Sequence, residues 1–267
     1  MTPLAIIGAG MMGEALLAGL TRAGWDPGQI RVAEANPTRR AQIGQQYGVA
    51  TGTPTEVVAG AAVAVVVVKP YDVAALLESV RPVLDPSCLV VSLAAGLTTA
   101  ALEESLPDGQ PLVRVMPNTA VTVGEGMSAI CPGTSATPDH LARAERILAA
   151  VGQVRTVAEK DMDAVTAVSG SGPAYVMMVA EAMIDAGVLL GLPRPAASQL
   201  VAQTLYGSAK LLRDSGQHPT VLRENVTSPG GTTAAGLREL ENHGLRAGFI
   251  DAVEASYRRS VEMGQTK

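Results

Sequence analysis

The chain has 267 residues, enough for one large domain or two ordinary ones. Apolar residues make up 47% and charged residues 17%, which allows a real core and argues against disorder. A net charge of −5 with no basic run argues against a nucleic-acid partner, and His140, His218 and His243 lack ligand-like spacing, so no metal is expected.

Leu4-Ala5-Ile6-Ile7 is a short unbroken apolar run, as a strand buried on both faces should be. Gly8-Ala9-Gly10-Met11-Met12-Gly13 follows at once, and Glu14 to Arg22 then reads as helix. Strand, G-x-G-x-x-G and helix in that order predict a dinucleotide site. Gly8 makes the tight turn, Gly10 lets the backbone approach a pyrophosphate, and Gly13 lets helix and strand pack closely. A second strand, Ile30 to Ala33, ends in Glu34. An acid there accepts hydrogen bonds from the adenosine ribose and favours NAD. Asn36, Arg39 and Arg40 lie just beyond, and an arginine in this place can hold a 2′-phosphate. These arginines also suit the solvated first turn of a helix over Thr38 to Tyr47, so the residues leave the coenzyme open.

Further strands are expected at Ala64–Val68, Leu89–Leu93, Leu112–Val115, Met127–Ile130 and Gln153–Val157. Helices at Tyr71–Val80, Thr98–Leu106 and Pro138–Val151 alternate with them. This alternation predicts a doubly wound parallel sheet, whose ligands bind beyond the carboxyl ends of the strands. Val68-Lys69-Pro70, Ala94-Ala95-Gly96 and Asn118 therefore join the glycine turn in one crevice.

From about Lys160 the strand signals cease. The boundary predicted is 158/159, with a dinucleotide-binding domain over residues 1–158 and a helical domain over 159–267. Asp163–Val168 reads as helix, Ser169-Gly170-Ser171-Gly172 as a break, and Pro173 as the first position of the helix Ala174–Leu190. Further helices are predicted at Pro195–Leu212, Thr220–Asn225 and Phe249–Met263. Their apolar faces, including Met177, Met178 and Met183, are broader than one small bundle needs, so they cover the first domain or pair with a second chain. Between the last two lies Thr227-Ser228-Pro229-Gly230-Gly231-Thr232-Thr233, a glycine turn feeding a helix that reaches Leu240. Thr232 and Thr233 are cap-type residues, and the turn reads either as an ordinary capped helix start or as an anion site.

Cys88 and Cys131 form no motif and suit a reducing compartment as small buried hydrophobes. The N-terminus lacks a signal-peptide pattern, and the longest apolar run, Val57–Val68, is too short to span a bilayer. A cytoplasmic, non-membrane protein is expected.

These residues together resemble the pyrroline-5-carboxylate reductase family over essentially the whole chain. The likeness rests on the glycine turn, Val68-Lys69-Pro70, Ala94-Ala95-Gly96, Arg114-Val115-Met116-Pro117-Asn118-Thr119 and Gly124-Glu125-Gly126-Met127. Its specific blocks are Ser169-Gly170-Ser171-Gly172-Pro173-Ala174-Tyr175 and Asn225 to Thr233. The resemblance implies a Rossmann-like domain followed by an all-helical dimerisation domain that interlocks two subunits, with dimers assembling further, often into decamers. It implies reduction of 1-pyrroline-5-carboxylate to L-proline, with NADPH as coenzyme and NADH possible. Relatives often carry a small polar or basic pair where this chain has Glu34-Ala35. On this reading the coenzyme residues are Gly8, Gly10, Met11, Met12, Gly13, Glu34, Asn36, Val68, Lys69, Pro70, Ala94, Ala95 and Asn118. The amides of Gly230, Gly231 and Thr232 and the Ser228 hydroxyl hold the substrate carboxylate, and the Thr233 hydroxyl bonds the ring nitrogen. Two rival readings are a reductase of another cyclic imine acid, such as the six-membered homologue, and a nucleotide-binding regulator without catalysis.

Overall fold

The computed structural model describes residues 3–265. Among them, strands β1 (Leu4–Ile7), β2 (Ile30–Ala33), β3 (Ala50–Gly52), β4 (Val63–Val66), β5 (Leu89–Ser92), β6 (Leu112–Met116), β7 (Gly126–Pro132) and β8 (Gly152–Thr156) form one sheet. Its order is β3-β2-β1-β4-β5-β6-β7-β8. Helices α1 (Met11–Arg22), α2 (Pro37–Tyr47), α3 (Pro54–Val58), α4 (Pro70–Val80), α5 (Thr99–Glu103) and α6 (Pro138–Leu148) connect the strands. Strands β1, β4 and β5 lie in the middle of the sheet and are buried at every position. That is why they read as unbroken apolar runs.

The two-residue period of the strands divides the core. Leu4, Ile6, Val65 and Val91 face the side where Leu16, Leu17, Leu20, Ile147 and Leu148 of α1 and α6 pack. Ala5, Ile7, Ala64, Val66 and Val90 face the other side, against Val73, Leu77 and Leu102 of α4 and α5. The chain order reverses between β1 and β4, the position at which ligands enter open sheets of this kind.

The structure departs from the sequence-based expectation in two strands. β3 is short and mostly exposed, so no apolar run marked it. β7 runs antiparallel to β6, with Val115 opposite Ile130. No crossover helix separates them; a 3-10 turn over Thr119–Val123 and Gly124, at φ +77°, returns the chain directly.

After β8 come α7 (Met162–Val165), α8 (Gly172–Leu189), α9 (Arg194–Ser215), α10 (Pro219–Asn225), α11 (Thr232–Asn242) and α12 (Leu245–Gln265). The break expected at Ser169-Gly170-Ser171-Gly172 takes the form of a π-turn and a bend at Ser171 between two regular helices. A π-turn over Thr166–Gly170 bridges α7 and α8, and the Ser171 amide donates to the Thr166 carbonyl at 2.9 Å. The wider turn absorbs Pro173, whose ring lacks an N–H for the regular ladder.

The chain divides into two compact units, residues 3–171 with 256–265, and Gly172–Ala255. The first unit reaches past the last strand because Met162 packs on Ala129 and Cys131 of β7. Its last segment belongs to α12: Ser256 and Ser171 share a hydrogen bond of 2.9 Å, and the Ser260 hydroxyl donates to Asp163 at 2.6 Å. The second unit is helical, and α8 packs on α9.

Candidate functional site

The glycine turn between β1 and α1 is closed behind and open in front. A Cβ on Gly13 would stand 1.9 Å from the Gly8 carbonyl oxygen, and one on Gly8 would stand 2.6 Å from that of Val67. Gly8 also has φ +100°, which side chains rarely adopt. A Cβ on Gly10 would meet no heavy atom within 4 Å. Gly10 caps α1 with no side-chain hydrogen bond, so the first amides of α1 face an open approach. A dinucleotide pyrophosphate fits this cradle by both criteria, space and donors.

The other residues expected to hold the coenzyme stand on the same edge of the sheet. Glu34 and Asn36 follow β2, Val68, Lys69 and Pro70 follow β4, Ala94 and Ala95 follow β5, and Asn118 follows β6. Strands β2, β1, β4, β5 and β6 are mutually parallel, so these loops share the carboxyl side. Met12 packs into the core, whereas Met11 is 66% exposed. Asn118 is fixed by two backbone donors: its Oδ1 accepts from the amides of Ala120 and Met127, each at 3.2 Å. Its Nδ2 donates to the Ser169 hydroxyl at 3.4 Å, which brings the π-turn to the end of β6.

The region after β2 is more tightly bonded than the sequence indicated. Glu34 Oε2 accepts from the Ala9 amide and Oε1 from the Asn36 amide, both at 2.9 Å. Arg39 forms an ion pair with Glu14, and its Nε donates to the Ala9 carbonyl at 3.3 Å. Tyr47 donates to the same Glu14 carboxylate at 3.1 Å. Burial, then the Glu14 hydrogen bond, raises the Tyr47 pKa. In the sequence Glu14 reads only as an ordinary acid in the first turn of a helix.

Beside the loops after β4 and β5 lies a cleft of about 490 Å³ lined by Tyr71, Ala74, Gly96, Leu97, Ser105 and Met263, among others. Met263 comes from the end of α12, so no local pattern could have joined it to Gly96. Cys88 and Cys131 are free and buried, and desolvation is the first cause that pushes both thiols up to about 12. Such thiols are inert packing groups at neutral pH.

In the second unit, the turn before α11 has Gly230 at φ +68° and the Gly231 amide donating to the Ser228 carbonyl at 3.0 Å. A Cβ on Gly231 would stand 2.3 Å from Ser228 Oγ, so a larger residue would turn the serine hydroxyl away from its place over the turn. The expected threonine cap is absent: Gly231 is the cap residue, and no side chain caps α11. Thr232 and Thr233 are its first two helical residues. Ser228, Gly230, Gly231, Thr232 and Thr233 thus form one short arc, with the first amides of the helix unclaimed by any capping side chain.

A sheet with this strand order and a glycine cradle at β1–α1 defines a dinucleotide-binding protein of the Rossmann kind. Residues 3–96 match the family model described as NADP oxidoreductase, coenzyme F420-dependent, and residues 159–263 match pyrroline-5-carboxylate reductase dimerisation. The pyrroline-5-carboxylate reductase of Corynebacterium melassecola is 43% identical, over 99% of this chain and 100% of its own. That of Mycobacterium tuberculosis is also 43% identical, over 98% of this chain and 97% of its own. The solved reductase of Coxiella burnetii is 34% identical with a TM-score of 0.95, covering 99% of each chain. That of Plasmodium falciparum, solved with NADP bound, is 33% identical with a TM-score of 0.87, covering 98% of each. The chain belongs to the pyrroline-5-carboxylate reductase family.

Proposed function

We propose that this chain is a pyrroline-5-carboxylate reductase, which reduces the C=N bond of 1-pyrroline-5-carboxylate to give L-proline, the last step of proline biosynthesis. The observation that carries this reading is the pairing, in one chain of this family, of the open glycine cradle with the uncapped Ser-Pro-Gly-Gly-Thr-Thr turn. Residues 1–158 serve as the coenzyme domain and 159–267 as the substrate-binding and dimerisation domain. When bound, NADPH or NADH supplies the hydride.

The chain's own residues bind and orient. The first amides of α1 and Gly10 take the pyrophosphate, and Glu34 and Asn36 stand at the adenosine ribose. Met11, Met12, Val68, Lys69, Pro70, Ala94, Ala95 and Asn118 line the remainder of the coenzyme's path. The amides of Gly230, Gly231 and Thr232 with the Ser228 hydroxyl hold the substrate carboxylate. The Thr233 hydroxyl bonds the ring nitrogen. The iminium carries its own proton, so the reaction needs no buried carboxylic acid; positioning supplies the acceleration.

The helical stretch Glu159–Leu189 is long and apolar enough to cross a membrane by length and composition, and its most apolar part is uncovered in the single chain. Interruption by acids such as Asp163, Glu181 and Asp185 kept it from reading as a continuous apolar run. We assign its exposed face to a homodimer, since residues 159–263 match a dimerisation model. Dimers assemble further, to a decamer, in the cytoplasm.

The test is consumption of NADPH and NADH by the purified protein with 1-pyrroline-5-carboxylate and with its six-membered homologue. Turnover with the five-membered imine is expected. No turnover with either coenzyme, in folded protein, removes the proposal, and faster turnover of the six-membered ring replaces the substrate.

A further inference from the structure

The end of α12 turns one stripe of residues to the first unit. Ser260 stands four residues after Ser256, and Met263 and Gly264 stand three and four after Ser260, so all share one side of the helix. Each level of the stripe meets a different partner. Ser256 and Ser171 share a hydrogen bond of 2.9 Å just after the π-turn. Ser260 is buried and donates to Asp163 of α7 at 2.6 Å. Met263 then reaches the loop after β5. A Cβ on Gly96 would stand 3.7 Å from Met263 Cε and 3.9 Å from its Cβ, ordinary packing distances. A Cβ on Gly264 would stand 3.9 Å from the Gly96 carbonyl oxygen, so the helix backbone also runs beside this glycine. Arg259 and Glu262 pair with each other in solvent, off the stripe.

The loop is firmly held at its two ends and loosely between them. Before it, the Leu93 amide donates to the Val66 carbonyl at 2.9 Å. After it, the Thr99 amide donates to Glu159. In between, the Ala94 amide reaches the Ser92 hydroxyl at a long 3.4 Å, and Gly96 takes φ +76°. Glycine has the most backbone freedom to lose and no side chain of its own to pack. A side chain from elsewhere must limit its excursions, and a long, unbranched thioether suits an irregular loop surface. We propose that Met263 is a positioning residue for the coenzyme: fixed to the first unit through Ser260, it holds the Ala94-Ala95-Gly96 loop in the shape that receives the dinucleotide. The proposal rests on the coenzyme site assigned above. Met263 acts through Gly96, so it governs coenzyme affinity and leaves the handling of the imine unchanged.

Fluorescence titration of the full chain with NADPH, without any imine substrate, tests it apart from turnover. Met263 is half-exposed, so Met263→Ala should fold as wild type does. It should bind NADPH about fivefold more weakly, because the coenzyme must then order the loop itself. Met263→Leu keeps the bulk and should bind as wild type. In steady-state kinetics of Met263→Ala, KM for NADPH should rise while kcat and KM for 1-pyrroline-5-carboxylate stay put. Ser260→Ala should weaken NADPH in the same direction, and the double variant should be no weaker than Met263→Ala, since both changes act on one contact. If Ser260→Ala lowers the melting temperature, the two Met263 variants carry the test by themselves. A Met263→Ala protein that binds NADPH as wild type does overturns this proposal alone. So does Met263→Leu binding as weakly as Met263→Ala, or a double variant in which the two losses add. Failure of wild type to bind either NADPH or NADH overturns the coenzyme site and this proposal with it.

Discussion

Thr233 stands at the second position of α11, behind a glycine cap, and this placement separates chemistry from scaffolding. Ser228 and Thr233 both carry hydroxyls but have different expected partners. A serine that holds the carboxylate binds substrate and transition state alike, so Ser228→Ala should mainly raise KM, by about 1.5–3 kcal/mol for one charge-assisted hydrogen bond. A threonine on the ring nitrogen makes a bond that changes as the iminium becomes an amine. Thr233→Val should therefore lower kcat with coenzyme binding intact and, since it caps nothing, with little change in Tm. Steady-state kinetics and a melting curve on both variants decide the matter. A Thr233→Val enzyme with normal kcat would remove Thr233 from the reaction. At this scale the sequence was legible where glycine is required, because φ or close approach to backbone restricts residue type at Gly8, Gly13 and Gly230. The Glu14–Arg39–Tyr47 cluster was not legible, because it depends on how α1 meets α2.

Among the elements, β6 and the segment after β8 are joined by one buried pair. Arg114 of β6, with only 5% of its side chain exposed, pairs with Glu159, whose side chain is 33% exposed. Glu159 also accepts from the Thr99 amide at the start of α5, at 3.4 Å. Breaking such a pair from one side leaves the other charge without compensation. Arg114→Leu is expected to cost about 3 kcal/mol, the lower part of the range for buried pairs, because the Glu159 side chain as a whole is only partly buried and keeps the Thr99 amide. Urea denaturation measures it; a loss within about 0.5 kcal/mol, the range of ordinary surface changes, would show the pair to be incidental. The central strands were legible from apolar runs alone. The antiparallel turn of β7 was not, since period and composition do not encode strand direction. Serine, glycine and proline in sequence signal a break without its form, and the π-turn is visible only in the Ser171 amide reaching back to the Thr166 carbonyl.

At the scale of the molecule, the helical unit leaves its apolar side chains uncovered in the single chain. Met177 is 66% exposed, Met178 72% and Tyr206 60%. Monomeric soluble proteins rarely keep such patches contiguous. Light scattering at micromolar concentration should give at least a dimer, and a stable monomer would contradict the assembly. The sequence foretold this breadth of apolar face but left its partner open, because period alone cannot say whether a helix meets its own chain or another. The return of residues 256–265 to the first unit has a consequence for the order of folding. Its hydrogen bonds to Asp163 and Ser171 join residues 97 and 85 positions apart in sequence. During synthesis the sheet can assemble early, yet Asp163 and Ser171 wait for the end of α12 to leave the ribosome. Closing so long a loop costs entropy before any contact rewards it. The first unit is therefore the first to begin folding and the last to finish.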